Sequence, residues 1–213
     1  MKLRVIVTGT TGMVGEGVLL ECLNDPEVEQ VLSVSRRPSG HRHPKLRELL
    51  HADFHDLTGI QDQLAGYDAC FFCLGVSSVG LQEPEYRRLT YDLTLHFART
   101  LLPRNPGLTF CYVSGAGTDS TERGRQMWAR VKGNTENDLL QLGFRQAYMF
   151  RPGFLRATPG QRHVLRAYTY FGWLYPVLRR VLPKYVSTLA ELGRAMLHVA
   201  RQGYPRPVLE VPD

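Results

Sequence analysis

Between an apolar stretch, Leu3–Thr8, and a segment with helical apolar spacing through Val14, Val18, Leu19 and Cys22, the chain reads Val7-Thr8-Gly9-Thr10-Thr11-Gly12-Met13-Val14-Gly15. Three glycines at three-residue intervals in that setting constrain the fold more than any other feature. The first permits a tight turn, the second lets a ligand approach the backbone, and the third lets the helix pack close to the strand before it. Glycine is common in any turn, so the triplet alone is weak. Its place between a first strand and a helix is the context in which free N–H groups at the helix start meet phosphate oxygens. Gly9, Thr11, Gly12, Met13, Val14 and Gly15 are therefore expected to hold the phosphates of a dinucleotide.

The remaining pattern supports that context. A helix over Met13–Leu23 is stopped by Asn24-Asp25-Pro26, and Val31–Ser35 reads as a second strand. The spacing predicts a short helix over Pro44–Leu50, a third strand over His51–Phe54 and a continuously apolar fourth strand over Asp68–Leu74. A long amphipathic helix over Glu83–Leu102, a strand over Leu108–Ser114, a helix over Thr121–Leu142 and a strand over Gln146–Phe150 follow. Alternating strands and helices require parallel strands with right-handed crossovers, and continuously apolar strands require cover on both sheet faces. The expected fold class is α/β, a doubly wound parallel sheet of the NAD(P)-binding Rossmann type with a small C-terminal helical cap. Helical stretches at about 161–181 and 188–201 and an edge strand at Val208–Val211 complete it.

At 213 residues the chain is long enough for one domain over 1–213, with 154–206 as a basic, aromatic segment covering the substrate, and too short for a second full domain. Met1 leads straight into the first strand, so no leader is expected. No run of 18 apolar residues occurs, since even Tyr168–Leu182 is broken by Arg179 and Arg180, and no transmembrane segment is expected. Cys22, Cys70, Cys73 and Cys111 sit in apolar surroundings, which suits reduced thiols in a cytoplasmic protein. Cys70-Phe-Phe-Cys73 matches a metal or redox spacing, but residues three apart on a strand point to opposite faces. His41, His43, His51 and His55 have no companions at ligand spacing, so no metal is expected.

An NAD enzyme carries an acid at the end of its second strand for the adenosine ribose. Here the residues are Ser35-Arg36-Arg37. Guanidinium forks bind a 2′-phosphate bidentately, so Arg36 and Arg37 favour NADP(H), with NAD(H) left open. Asp53-Phe54 is positioned to hold adenine, and Leu74, Gly75 and Val76 end the fourth strand, where ligands of open α/β sheets bind.

With these residues in place, the chain resembles the short-chain dehydrogenase/reductase superfamily, in particular its atypical NmrA-like and Tat-interacting-protein-like members. The resemblance is carried by Thr8–Gly15, Cys73-Leu-Gly-Val-Ser77, Tyr112-Val-Ser-Gly-Ala116, Val131-Lys132-Gly133 and Phe150-Arg-Pro-Gly-Phe154. It implies that Pro152 and Gly153 lie against the cofactor, that Ser114 binds a substrate oxygen, and that Lys132 holds the nicotinamide ribose. The family's tyrosine, four residues before the lysine, is replaced by Trp128. An indole N–H donates a hydrogen bond but supplies no proton at neutral pH. Tyr91 is the alternative donor on helix-face grounds, and Tyr112, inside a strand, is the weaker one.

Two readings follow. One is an NADP(H)-dependent oxidoreductase or epimerase-like enzyme acting on a small carbonyl or hydroxyl substrate through Ser114 and Lys132. The other is a non-catalytic NADP(H)-binding redox sensor or regulator acting through a protein partner. Residues 156–184 hold Arg156, Arg162, Arg166, Arg179, Arg180 and Lys184 and no acid, so all the excess charge of +6 lies there. With Tyr168, Tyr170, Phe171, Trp173 and Tyr175, this segment fits a lid over an anionic substrate, a homodimer face or a peripheral membrane contact. No nucleic-acid motif accompanies it.

Overall fold

Residues of the first apolar run alternate between two interiors: Val5 and Val7 pack in one hydrophobic cluster and Ile6 in another, all fully buried. That period of two places Leu3–Thr8 (β1) in mid-sheet with both faces covered. The computed structural model describes residues 2–164 and 175–213. β1 pairs in parallel with Val28–Ser35 (β2) on one side and Ala69–Phe72 (β4) on the other. With Leu46–Leu50 (β3), Thr109–Val113 (β5), Gln146–Arg151 (β6) and Val208–Glu210 (β9), they form a seven-stranded parallel sheet ordered β3-β2-β1-β4-β5-β6-β9. Phe154–Arg156 (β7) and Val186–Thr188 (β8) make a separate parallel pair.

Helix Met13–Asn24 (α1) packs with Leu189–Gln202 (α6) over the Val5 face. Helices Glu83–Arg87 (α2), Leu93–Leu101 (α3) and Met127–Gln141 (α4) lie along the chain between β4 and β6, and Phe97 and Leu139 join the Ile6 face. A short helix, Tyr175–Val181 (α5), precedes β8. The doubly wound architecture expected from the sequence is thus the observed one. The sheet order reverses between β1 and β4, which opens a crevice at their carboxyl ends. The Thr8 hydroxyl closes its floor by accepting the N–H groups of Cys73 and Leu74 at 3.1 and 3.2 Å.

Several boundaries differ from expectation. The run placed in a helix over Pro44–Leu50 is β3, on the sheet edge, and His51–Phe54 is a loop. Five residues with Leu46, Leu49 and Leu50 fit either period, and pairing with β2 decides the outcome. α4 starts at Met127 rather than Thr121 because the Asp119 carboxylate accepts the N–H groups of Thr121 and Gly124 and the Thr121 hydroxyl, tying those residues into a turn. The Glu83–Leu102 helix forms with a π turn at Arg88–Asp92 between α2 and α3. Helix 161–181 is present only as α5 among the described residues. Residues 165–174, with Arg166, Tyr168, Tyr170, Phe171 and Trp173, lie outside them. Cys70 and Cys73 pack on opposite sheet faces, as the strand period requires.

α4 passes so close to the loop after β5 that a Cβ on Gly133 would stand 1.8 Å from the Asp119 carbonyl oxygen. Gly133→Ala is therefore expected to cost about 3 kcal/mol or more and to lower the thermal midpoint by roughly 10 °C, read by thermal unfolding.

Candidate dinucleotide site

At the crevice, Gly9 holds a left-handed φ of 70°, and a Cβ there would lie 2.7 Å from the Cys73 carbonyl oxygen. A Cβ on Gly15 would lie 2.2 Å from the Gly9 carbonyl oxygen. These two glycines lock the turn against β4 and against its own helix. Gly12 faces outward, and as the N-cap of α1 it carries no side-chain cap. The first N–H groups of the helix, including those of Met13 and Val14, are thus left for an external acceptor. Thr11 is half-buried beside them. Across the crevice, Leu74 is half-buried and Gly75 and Val76 are exposed, with open space over Gly75. A glycine cradle and an uncapped helix start fit a pyrophosphate.

The adenosine end follows β2. Arg36 and Arg37 are exposed there, and the Ser35 hydroxyl donates to the Arg37 carbonyl at 2.7 Å. Asp53 is exposed and its carboxylate accepts the His55 N–H at 2.9 Å. Phe54 corrects the sequence reading: its ring is buried against Phe97 at 5.9 Å between centroids, so only its backbone is available to adenine. After β6, the Pro152 carbonyl accepts the Ala116 N–H at 2.8 Å. Gly153 serves packing, since a Cβ there would lie 2.2 Å from the Tyr185 carbonyl oxygen.

The expected catalytic pair is brought together, but not as expected. Ser114 is buried, and its hydroxyl donates to the Glu136 carboxylate, with the Phe150 carbonyl as a second acceptor within reach at 3.1 Å. The role of binding a substrate oxygen does not match that orientation. Lys132 donates through Nζ to the Ser114 carbonyl. Burial lowers its pKa to about 8, against the pull of the Glu136 charge. Trp128, one helical turn before Lys132, lies against Gly117 in the loop after β5, where a Cβ would approach its ring edge to 3.5 Å. Its indole N–H donates to the Gln126 side chain at 2.8 Å.

Neither of the two alternative tyrosines is free for the role. The Tyr91 hydroxyl donates to Asp138, and the Arg87 guanidinium covers its ring at 3.9 Å from the centroid. Tyr112 is fully buried, and desolvation raises its pKa well above the usual phenol value. Sequence reasoning missed Glu136 and Arg151. Glu136 is completely buried and receives the Arg151 guanidinium through Nε and Nη2, while Arg151 also reaches Ser120 and Glu210. The legible signal was an acid four residues after Lys132, on the same helix face.

The described start of the basic segment reaches the beginning of α1, where Gln161 donates to the Met13 carbonyl at 2.8 Å. A cavity of about 380 Å³ lies on the far flank, lined by Phe150, Pro152, Leu192 and Leu209, with Arg179 paired to Glu191 at its rim.

Residues 5–115 match the model of the NAD dependent epimerase/dehydratase family. Among curated proteins, the mitochondrial protein fmp52 of Emericella nidulans is 28% identical over 171 residues, covering 76% of this chain and 70% of its own. The mitochondrial protein FMP52 of Candida albicans is 22% identical over 209 residues, covering 94% and 89%. Both names place those relatives in mitochondria, which overturns the cytoplasmic expectation. The enzyme WbmF of Bordetella bronchiseptica, solved in complex with NAD+, superposes with a TM-score of 0.68 at 16% identity, over 97% of this chain and 72% of its own. No helix among the described residues is long and apolar enough to cross a membrane.

Proposed function

We propose, for a chain that belongs to the NAD-dependent epimerase/dehydratase family, that it binds NADP(H) over residues 8–15 and reports the cofactor's redox state to a protein partner without turning over through a serine–tyrosine relay. One observation carries this reading. The Ser114 hydroxyl is engaged by Glu136 and Phe150 while Trp128 stands in the tyrosine's place, so the two groups that would bind and protonate a substrate oxygen are both lacking at the crevice. Cofactor binding needs neither group. Lys132 is left to hold the ribose, Gly12 to Gly15 the pyrophosphate, and Arg36 and Arg37 the 2′-phosphate. The test is a nicotinamide fluorescence titration followed by a panel of aldehydes and ketones. NADPH is expected to bind without being consumed. Steady oxidation at about 1 per second or faster overturns the reading.

A second reading rests on Lys132, whose pKa of about 8 suits an acid at neutral pH. A nicotinamide held at the crevice would supply the hydride, and the Lys132 ammonium would give its proton to the carbonyl oxygen of the substrate. Turnover by this route falls as pH rises through about 8, when the ammonium is lost. A rate flat across that range removes this reading.

The cofactor preference is tested separately. Arg36→Ala with Arg37→Ala is expected to weaken NADPH about a hundredfold, two charge-assisted contacts being lost, and to leave NADH within twofold. An equal loss for both cofactors would show that the arginines do not read the 2′-phosphate.

A further inference from the structure

Glu16, in the first turn of α1, is a completely buried carboxylate that the glycine turn does not explain. A charge in that position costs several kcal/mol unless its oxygens are fully satisfied. Its partners come from two distant parts of the chain. The N–H groups of Arg162 and His163 donate to it at 2.8 and 2.7 Å, and the His163 ring lies 3.2 Å away. His41, from the loop after β2, meets it through Nε2 at 2.7 Å. Hydrogen bonding from these donors and the His163 charge hold its pKa below the usual carboxylate value, although burial pushes the other way. Gln161 adds its bond to the Met13 carbonyl and is itself braced by the Thr158 N–H at 2.6 Å. Residues 158–163 are thereby fastened to the start of the cofactor helix, together with the loop that carries Arg36 and Arg37.

This fastening fixes where the Arg162 side chain goes. Its guanidinium crosses onto that loop at Gly40, where a Cβ would lie 2.8 Å from Nη1. Gly40 has a left-handed φ of 79°, so the loop turns sharply beneath it. The loop already carries Arg36, Arg37 and Arg42, and its nearest acid in sequence, Glu48, is occupied by the Ser39 N–H at 2.7 Å. Arg162 is exposed and makes no ion pair with any described residue. The carboxylates of Glu48 and Glu16 touch this loop at Ser39 and His41, but neither pairs with the guanidinium of Arg162, Arg36, Arg37 or Arg42, so Arg162 adds an unpaired guanidinium to an arginine-rich loop where a shared anion relieves the repulsion.

We infer that Arg162 is a third cation for the 2′-phosphate of the cofactor, supplied from the C-terminal segment and held there by Glu16 acting as a positioning residue. The inference rests on the NADP(H) reading above and adds to it a specificity residue about 125 positions from Arg36 and Arg37. It also makes the basic segment part of the adenosine site at its beginning.

The experiment compares NADPH, NADH, adenosine 2′,5′-bisphosphate and adenosine 5′-monophosphate on the full chain by titration calorimetry. Arg162→Ala is expected to weaken NADPH and the bisphosphate about tenfold and to leave NADH and the monophosphate unchanged, which also shows that the variant is folded. Arg162→Lys, keeping the charge without the fork, should recover part of the loss. Glu16→Gln should lower the ratio of NADPH to NADH affinity, whereas a merely structural role moves both together. Unchanged NADPH binding by Arg162→Ala, alongside a loss in the Arg36 and Arg37 variant, overturns this inference and leaves the NADP(H) reading standing. A wild-type protein that binds NADH as tightly as NADPH overturns both.

Discussion

Replacing Glu136 by alanine is expected to destabilise the protein by about 3 kcal/mol, because it strands a partly buried guanidinium and a buried hydroxyl together. Arg151 is bound by Glu136 through two nitrogens, and its remaining contacts, Ser120 and Glu210, are exposed. Ser114 would keep only the Phe150 carbonyl at 3.1 Å. For a chain of this size the loss corresponds to a fall of roughly 10 °C in the thermal midpoint. Glu136→Gln, which preserves size and one acceptor, should lose about half as much. A second readout concerns Lys132. In the folded protein its pKa is about 8 against an ordinary 10.5, so the unfolded chain binds more protons between those values. Lys132 therefore contributes stability that rises with pH across that window and is absent below it. Without the Glu136 charge the lysine pKa drops further, and the rise begins at lower pH. A Glu136→Ala variant as stable as the parent would mean that the cluster around Ser114 is not built as described.

Gly12→Asp is expected to move stability and binding in opposite directions. Gly12 is exposed with φ −115° and ψ 162°, an extended conformation open to any residue. A Cβ there meets only the Gly9 carbonyl oxygen, at 3.4 Å. Aspartate at this N-cap supplies the acceptor that α1 lacks, which favours the fold by about 1 kcal/mol. The same carboxylate occupies the N–H groups on which phosphate is expected and repels it, so NADPH affinity should fall at least about a hundredfold. Titration and thermal unfolding on one preparation check both signs. Undiminished NADPH binding would place the cofactor elsewhere.

The parts of this architecture that were legible in the sequence are those where one local rule decides. Gly9, Gly12 and Gly15 lie between a strand and a helix, and the structure uses the first and third for close approaches that admit no side chain. The apolar runs of β4 and β5 announced a sheet covered on both faces. β3 was not legible, because five residues carry too little periodicity to separate strand from helix and the pairing with β2 is a long-range event. The orientation of Ser114 was not legible either. A side chain at a strand end turns inward or outward according to its partners, and those partners, Glu136 and Phe150, lie 22 and 36 residues away. The basic segment showed its charge but not its destination, since the bonds from Arg162 and His163 to Glu16 span about 146 residues. Buried apolar cysteines fit reduced thiols in more than one compartment, and the mitochondrial names of the relatives overrode the inference drawn from them.

The most direct measurement is a titration of the purified protein with NADPH and with NADH, followed by nicotinamide fluorescence, with the Gly12→Asp variant as the control. Saturable binding is expected for both cofactors, tighter for NADPH, and lost in the variant while its fold persists. No saturable binding of either cofactor up to about 1 mM would contradict the dinucleotide site at residues 8–15.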